Sequence, residues 1–155
     1  MTLLYYGLAL ILIALDQWLK FWVRGNIPLG GSLPFFPHIM ELTYTQNTGA
    51  AFSFFSGMTW LLTVISLVVS IALAVMLWKR YFPGKMGNLA LTLILAGAVG
   101  NLIDRLFLGF VTDMFATTFI NFAVFNIADI CVCCGGALLG AYVVLFWEEG
   151  KEGDK

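Results

Sequence analysis

The sequence carries little charge for its length. Only 11% of its 155 residues are Asp, Glu, Lys or Arg, whereas about 25% is usual for a soluble domain. Apolar residues make up 61% of the chain and the mean hydropathy is +0.93, which is more than a soluble core of this size can bury. These values exclude a disordered chain, a disulfide scaffold and an ordinary cytosolic enzyme. They predict an integral membrane protein.

Residue types that several kinds of functional site require are also scarce. Eight Lys and Arg stand against nine Asp and Glu, which leaves no basic patch for binding nucleic acid. The single histidine, His38, cannot supply a His-Glu-x-x-His metal motif, and it leaves a serine or cysteine nucleophile without a plausible base. The close-set Cys131, Cys133 and Cys134 do not form a disulfide framework, and we interpret them as packing residues of a helix. We expect no metal and no cofactor.

Long apolar runs occur four times along the chain. A membrane-spanning helix needs about 20 mostly apolar residues, and suitable runs lie at 3–23, 59–78, 89–108 and 126–147. The sequence therefore predicts an all-α membrane protein with four transmembrane helices in a single domain, 1–155. The first run has no basic leader segment and no cleavage site, so we interpret it as a retained helix.

The positions of Lys and Arg near the span ends indicate the orientation of the chain. Five of them lie in the loop between spans two and three and in the C-terminal tail, and three lie on the opposite side: Lys20, Arg24 and Arg105. This excess predicts that both termini are cytoplasmic and that the loops 24–58 and 109–125 face outward.

The first outer loop shows signs of local structure. Apolar and polar residues alternate from Glu41 to Thr45, which predicts a short strand that ends at the turn-prone 47–49. The small and aromatic residues of 50–55 are expected to rest on the membrane surface. In span four, Gly136 and Gly140 form a small-xxx-small pattern, which predicts a close approach to another helix at this point.

Polar residues within and beside the spans gather at one end of the predicted bundle. Ionisable residues inside a membrane are costly and usually functional. Gly97, Asn101, Asp104 and Arg105 are spaced so that they line one face of span three. We therefore predict an outward-opening polar pocket. Its side chains come from spans one, three and four and from the loop 109–125, which holds Asp113; the others are Asp16, Asn101, Asp104, Arg105, Asn126 and Asp129.

Some of these residues also have a simpler structural interpretation. Asn126 could cap span four, with Asp129 as the acidic residue of its first turn. Asp104 and Arg105 could form ion pairs with neighbours, and Asp16 could hold span one against another helix. The pair of Asp113 and Asp129 resists this interpretation, because two carboxylates at one interface can share a proton. One of them can then take a proton from water while the other donates to a peptide carbonyl.

Five separated motifs follow one another along the chain: Asp16, then NTGAAF at 47–52, GAVGNLIDR at 97–105, GFVTD at 109–113 and FNIAD at 125–129. Together they resemble the lipoprotein signal peptidases, the bacterial signal peptidase II family of aspartic membrane peptidases. The resemblance implies an endopeptidase that removes the signal peptide from diacylglyceryl-modified prolipoproteins by cutting before the lipidated cysteine.

The resemblance also implies roles for individual residues. Asp113 and Asp129 correspond to the family's catalytic pair, and the supporting or substrate-binding residues correspond to Asp16, Asn47, Asn101, Asp104, Arg105 and Asn126. The first outer loop corresponds to a small β-containing region with a surface helix over the site. The enzyme is expected in the bacterial cytoplasmic membrane, surrounded by membrane lipid, with its site near the outer leaflet. Globomycin-type inhibitors are expected ligands, nucleic acid is not, and we expect a monomer.

A small ion or proton-coupled transporter is the main alternative function, with Asp16, Asp104 and Asp129 as relay carboxylates. Transporters usually place their sites near the membrane midplane, and many contain inverted repeats. Here the acidic residues lie at one end of the spans and no repeat is visible. A purely structural membrane subunit is a third alternative, but such a protein would not need so many polar residues within its spans.

Overall fold

The computed structural model of the chain describes residues 2–49 and 59–146. Within these residues, four helices are long and apolar enough to cross a membrane. They are α1 (Thr2–Asn26), α2 (Thr59–Trp78), α3 (Gly84–Leu108) and α4 (Ile127–Phe146). The prediction of four spanning helices with a small β-containing region is thereby confirmed. The expected surface segment over 50–55, the surface helix, Trp147 and the C-terminal tail lie outside the described residues.

Two helices extend beyond the ranges predicted from hydropathy. The helix α1 continues to Asn26 rather than ending at residue 23, and α3 begins at Gly84 rather than at residue 89. Before α3, Pro83 adopts an extended conformation with φ −66° and ψ 153°. The first turn of α3 contains polar residues, and Asn88 donates hydrogen bonds to the carbonyls of Phe82 and Gly84. Such polar residues lower the local hydropathy without interrupting the helix, which explains the late predicted start.

The two loops at one end of the bundle form a single antiparallel sheet in the described residues. Its strands are β1 (Ser32–Phe36), β2 (Met40–Asn47) and β3 (Val111–Thr117), in the order β1-β2-β3. The sequence predicts only part of β2, and it predicts no strand within the loop 109–125, where β3 lies. The five residues from Val111 to Phe115 are all buried, so β3 lacks the alternation of polar and apolar residues that identifies a half-buried strand.

The core of the molecule is organised around α3, which packs against each of the other three helices. At the sheet end, a buried cluster joins α1 to the strands through Val23, Ile27, Tyr44, Met114 and Phe115. A second cluster lies near the loop between α2 and α3 and comprises Leu77, Phe82, Leu91, Leu95 and Tyr142. Many other apolar side chains of α1, α2 and α4 point outward, as expected for helices that are surrounded by lipid.

Two glycines, Gly97 of α3 and Gly135 of α4, leave no room for a side chain between these helices. A Cβ atom at Gly97 would overlap the carbonyl oxygen of Ala128 and the side chain of Val132. A Cβ atom at Gly135 would lie 2.9 Å from the carbonyl oxygen of Ala90. Small residues allow helix backbones to come this close in a membrane, and the contact holds the first turn of α4 against α3.

The prediction that Gly136 and Gly140 mediate helix packing is wrong. A Cβ atom at either position would have no described neighbour within 4 Å. The packed positions on α4 are 128, 132 and 135, which follow the i, i+4, i+7 spacing of one helix face. Gly136 lies 100° around the helix from Gly135 and is exposed, whereas Gly135 is buried.

Replacing Gly97 by Ala is expected to lower stability by about 1–3 kcal/mol, because the added methyl group must push the two backbones apart. Gly136→Ala serves as the control and should keep or slightly raise stability, since alanine favours helix and its methyl group meets open space. Thermal unfolding of both variants in the same detergent measures the difference. Equal melting temperatures would contradict the packing at Gly97.

Candidate active site

Asp113 lies on β3 at the centre of a polar cluster at the sheet end of the bundle. The residue is 2% exposed. One carboxylate oxygen accepts a hydrogen bond of 2.9 Å from the side-chain amide of Asn47, and the other accepts one of 2.6 Å from that of Asn126. Asp113 lies opposite Thr45 in the β2–β3 pairing, so Asn47, two residues further along β2, points to the same face of the sheet.

Asp129 lies in the first turn of α4, where it takes part in a capping box with Asn126. The Asn126 side-chain oxygen accepts from the backbone N–H of Asp129 at 2.9 Å, and Asp129 Oδ2 accepts from the backbone N–H of Asn126 at 3.1 Å. Asp129 Oδ1 accepts a further bond of 2.8 Å from Asn101 of α3. The helix start therefore fixes the position of this carboxylate.

Asn126 connects the two aspartates directly. Its amide nitrogen donates to Asp113, while its amide oxygen accepts from the backbone of Asp129. The capping interpretation and the site interpretation of Asn126 thus describe one arrangement. A single side-chain amide, itself fully buried, sets the relative placement of two carboxylates that come from different elements.

Two further aspartates bind the backbone next to this pair. Asp16 of α1 accepts from the N–H of Ala128, the residue before Asp129, at 2.9 Å. Asp104 of α3 accepts from the N–H of Thr112, the residue before Asp113, at 2.8 Å. Each carboxylate therefore fixes the chain one residue ahead of a site aspartate. This geometry supports the interpretation of Asp16 and Asp104 as structural residues.

Lys20 of α1 connects these supports and is fully buried. Its ammonium lies 2.9 Å from Asp16 Oδ2 and 3.4 Å from Asp104 Oδ2, and it donates a 2.9 Å hydrogen bond to Asn101 Oδ1. Three acceptors thus satisfy its three N–H donors. From the sequence, Lys20 counted only as a positive charge at the end of a span. Its i, i+4 spacing from Asp16 is the signal that would have identified it as part of the site.

The residues of α3 that were expected to share one face contact different neighbours. Asp104 turns toward α1, whereas Arg105 donates a 3.3 Å hydrogen bond to Ser66 of α2 and lines a groove beside Asp129. Consecutive helix positions are 100° apart, which separates the two side chains. The structural ion-pair interpretation therefore suits Asp104 but not Arg105, whose guanidinium faces the same space as both site aspartates.

Burial raises the pKa of Asp113 from the usual 3.8 to about 6. The hydrogen bond from Asn47 opposes this shift, the negative charge of Asp129 adds to it, and Asn126 and Lys20 lower the pKa again. The carboxyl group of Asp113 can therefore hold a proton at a pH where an ordinary aspartate has lost it.

Two cavities meet at Asp113 and Asn47. One is a groove of about 640 Å³ bounded by α2, α3, α4 and the segment 122–125, with largely apolar walls from side chains such as Ile65, Val69, Ile94, Ala98 and Ile130. The other is a cleft of about 480 Å³ between the end of β2 and the segment 121–124, with polar residues such as Thr45, Gln46, Thr48 and Asn121. The paired carboxylates thus stand between an apolar and a polar compartment.

Within residues 2–49 and 59–146, no group of three or more His, Cys, Asp or Glu side chains is arranged to hold a metal ion.

Comparison with known proteins identifies the family of this chain. Residues 8–145 match the family model for Signal peptidase (SPase) II. The chain belongs to the signal peptidase II family. It is 38% identical to a lipoprotein signal peptidase of Enterococcus faecalis over 99% of this chain and 95% of that protein. It is 46% identical to one of Lactococcus lactis subsp. lactis over 82% and 84% of the two chains.

Signal peptidase II membership is consistent with the structural comparison. A bacterial membrane enzyme solved by the in meso method at 2.3 Å resolution superimposes with a TM-score of 0.84 at 29% identity, over 97% of this chain and 92% of that chain. A second such structure at 1.9 Å resolution gives a TM-score of 0.83, also at 29% identity, over 92% and 93%. The chain is accordingly a membrane protease of the aspartic type, which confirms the family expected from its motifs.

Proposed function

We propose that this signal peptidase II removes the signal peptide from diacylglyceryl-modified prolipoproteins by cutting just before the lipidated cysteine. Asp113 and Asp129 would activate the attacking water. The main support is their geometry at the head of an apolar groove. The side-chain amide of Asn126 donates to the Asp113 carboxylate, and the backbone N–H of Asn126 donates to the Asp129 carboxylate. Relatives named lipoprotein signal peptidase supply the substrate class.

In the proposed mechanism the two aspartates have different tasks. Asp129 accepts two N–H hydrogen bonds at the N-terminus of α4, near the positive charge of Arg105, and these groups stabilise its anion. It takes a proton from water, whose oxygen then attacks the peptide carbonyl. Asp113 carries the other proton and donates it to the carbonyl oxygen. When the tetrahedral intermediate collapses, the C–N bond breaks and the proton held by Asp129 passes to the leaving amine. One hydroxyl group of the intermediate returns a proton to Asp113 as the new carboxyl group forms, so both aspartates regain their starting protonation.

The two cavities suit the two halves of such a substrate. The apolar segment of a signal peptide fits the groove between α2, α3 and α4, and the more polar chain that follows the cleavage point fits the cleft beside β2. The acyl chains would remain in the surrounding lipid. The bilayer then supplies part of the positioning that lowers the activation barrier.

We further propose that the enzyme lies in the bacterial cytoplasmic membrane as a monomer, with both termini in the cytoplasm and the site near the outer leaflet. Lys20 is buried in ion pairs, so it contributes less to the distribution of positive charge that sets the orientation. The excess of Lys and Arg in the α2–α3 loop and in the C-terminal tail is therefore larger than the sequence count suggests. A reporter that is active only in the cytoplasm should therefore be active when it is fused to the C-terminus, and a reporter that is active only outside the cytoplasm should not. The opposite result would reverse the orientation.

Globomycin-type inhibitors are expected to compete with substrate for the groove.

The proposed function is tested with purified protein in lipid and a diacylglyceryl-modified prolipoprotein. Release of the signal peptide, followed by gel shift, is expected with this substrate and not with the same chain lacking the lipid. A metal chelator in a parallel sample should leave the rate unchanged. If the well-folded protein cleaves neither chain, the proposed reaction is wrong, and ion flux in vesicles becomes the assay for the transporter alternative.

The pH dependence of kcat/KM is expected to follow the protonation of Asp113. Its pKa of about 6 lies above the ordinary value, so the proton that the mechanism requires is lost only as the pH rises through this region. The value of kcat/KM should therefore fall by about tenfold per pH unit above the midpoint. A series of initial rates at low substrate concentration measures this profile.

Asn47→Ala should move that midpoint to higher pH, because it removes a hydrogen bond that lowers the pKa of Asp113. Gln46→Ala is the neighbouring control, since the Gln46 amide donates to Tyr44 rather than to the aspartate, and its midpoint should not move. A shift of the Asn47 variant to lower pH would assign the profile to another group.

A further inference from the structure

Two of the three cysteines in α4 line the apolar groove. Cys133 and Cys134 are exposed and belong to its wall, together with Asp129 and Asn101 at its polar end. Cys131 is buried and does not line the groove. The expectation that all three are packing residues therefore suits Cys131 alone.

The helix geometry places Cys133 directly below the carboxylate of Asp129, and Cys134 is its neighbour in the groove wall. Cys133 follows Asp129 by four residues, which puts both side chains on one face of α4 and separates them by about 6 Å along the axis. The same groove is lined by Ala98 of α3 and Val69 of α2. Any group attached to Cys133 or Cys134 would therefore occupy the space that continues from the site aspartates along the apolar wall.

We propose that Cys133 and Cys134 form a thiol modification site, at which a membrane-soluble Michael acceptor blocks the groove and stops cleavage. The inhibitory part of this inference rests on the proposed function, because the groove must admit the signal peptide. The reagent class follows from the surroundings: an uncharged electrophile partitions into lipid and enters along apolar walls, whereas a charged one is excluded.

The reaction is a simple addition. The thiol loses its proton to water at the polar end of the groove, and the thiolate sulfur bonds to the β-carbon of the acceptor's double bond. The electron pair of that double bond moves to the α-carbon, which takes a proton from water. Nothing is oxidised or reduced, and the product is a stable thioether.

N-ethylmaleimide is the probe, applied to the intact protein in lipid. Mass spectrometry of the peptides is expected to find adducts on Cys133 and Cys134 and none on Cys131, which serves as an internal control. Cleavage by the treated protein should fall by about tenfold or more relative to its own untreated rate. The double variant Cys133→Ser, Cys134→Ser should show a treated-to-untreated ratio near one. Labelling of Cys131 at the same rate, or full labelling with no loss of rate, would overturn the proposal.

Labelling protection separates this inference from the proposed function. In Asp129→Asn, uncleaved lipidated prolipoprotein is expected to slow the reaction of both groove thiols, while the same chain without lipid does not. If untreated wild type cleaves nothing, the proposed function fails, and protection still decides whether the thiols line a site for this ligand. Unchanged labelling in the presence of bound substrate would rule out the groove as that site.

Discussion

Asp113→Asn and Asp129→Asn are each expected to reduce cleavage by about a thousandfold or more, which is the usual size of a lost general acid or base. An amide can neither take a proton from water nor donate one to a carbonyl oxygen as a carboxyl group does. Gel shift of the lipidated substrate measures the loss. Glu41→Gln makes the same chemical change on β2, away from the two carboxylates, and should retain activity.

Both variants should fold, for different local reasons. In Asp129→Asn the side-chain oxygen can still accept from the backbone N–H of Asn126, so the capping box survives. In Asp113→Asn a buried charge disappears, which stabilises the fold. The new amide nitrogen must face the N–H donor of either Asn47 or Asn126, which destabilises it. These opposing effects leave a small net change in melting temperature. Full activity in either well-folded variant would exclude that aspartate from the mechanism.

Lys20→Met is expected to have the second largest effect, on stability and activity together. It leaves Asp16 and Asp104 buried close to one another without the ammonium between them. Removing one partner of a buried ion pair typically costs about 3–5 kcal/mol. Both carboxylates also hold the backbone beside the dyad, so the remaining folded protein should cleave at least tenfold more slowly.

A variant without the three buried charges tests whether Lys20→Met acts through the unpaired charge of the aspartates or through the lost shape of the lysine side chain. In Lys20→Met combined with Asp16→Asn and Asp104→Asn no fully buried charge remains, and only the partly exposed Arg24 loses an ion pair, at 3.9 Å from Asp104. The melting temperature should therefore recover by several degrees. The cleavage rate should recover less, because the methionine cannot bind the oxygen of Asn101. Lys85→Met, at an exposed position in α3, is the control. If Lys20→Met keeps wild-type stability and rate, the buried ammonium has no supporting role.

The helices and the candidate pair could be predicted because each left a local signal. Runs of apolar residues define spans regardless of their packing partners, and carboxylates at span ends are rare enough to identify Asp113 and Asp129. The strand β3 left no such signal, since the sheet buries both of its faces. Its position depends on β2, which is more than sixty residues earlier in the chain.

The sequence also does not show which neighbouring element a given helix residue packs against. The spacing of Gly136 and Gly140 fits close helix packing, but only the assembled bundle shows that the stripe through Gly135 faces α3. The sequence likewise identifies Lys20 only as a positive charge near the end of a span. The i, i+4 spacing records its pairing with Asp16, but the other two acceptors, Asp104 and Asn101, come from α3. Its complete burial therefore depends on a contact between helices that no local pattern records.

The spacing of Asp16 and Lys20 also bears on how the chain enters the membrane during synthesis. The first helix is made before α3 exists, so its ionised aspartate would otherwise meet lipid alone, at a cost of about 2.5–3.5 kcal/mol. One helical turn away, Lys20 reaches the same carboxylate at 2.9 Å and offsets much of that cost. Exchanging Trp18 and Lys20 keeps the composition but separates the charges, and insertion of α1 alone should then become less efficient. The helix thus brings its own counter-ion, and its integration does not have to wait for the rest of the bundle.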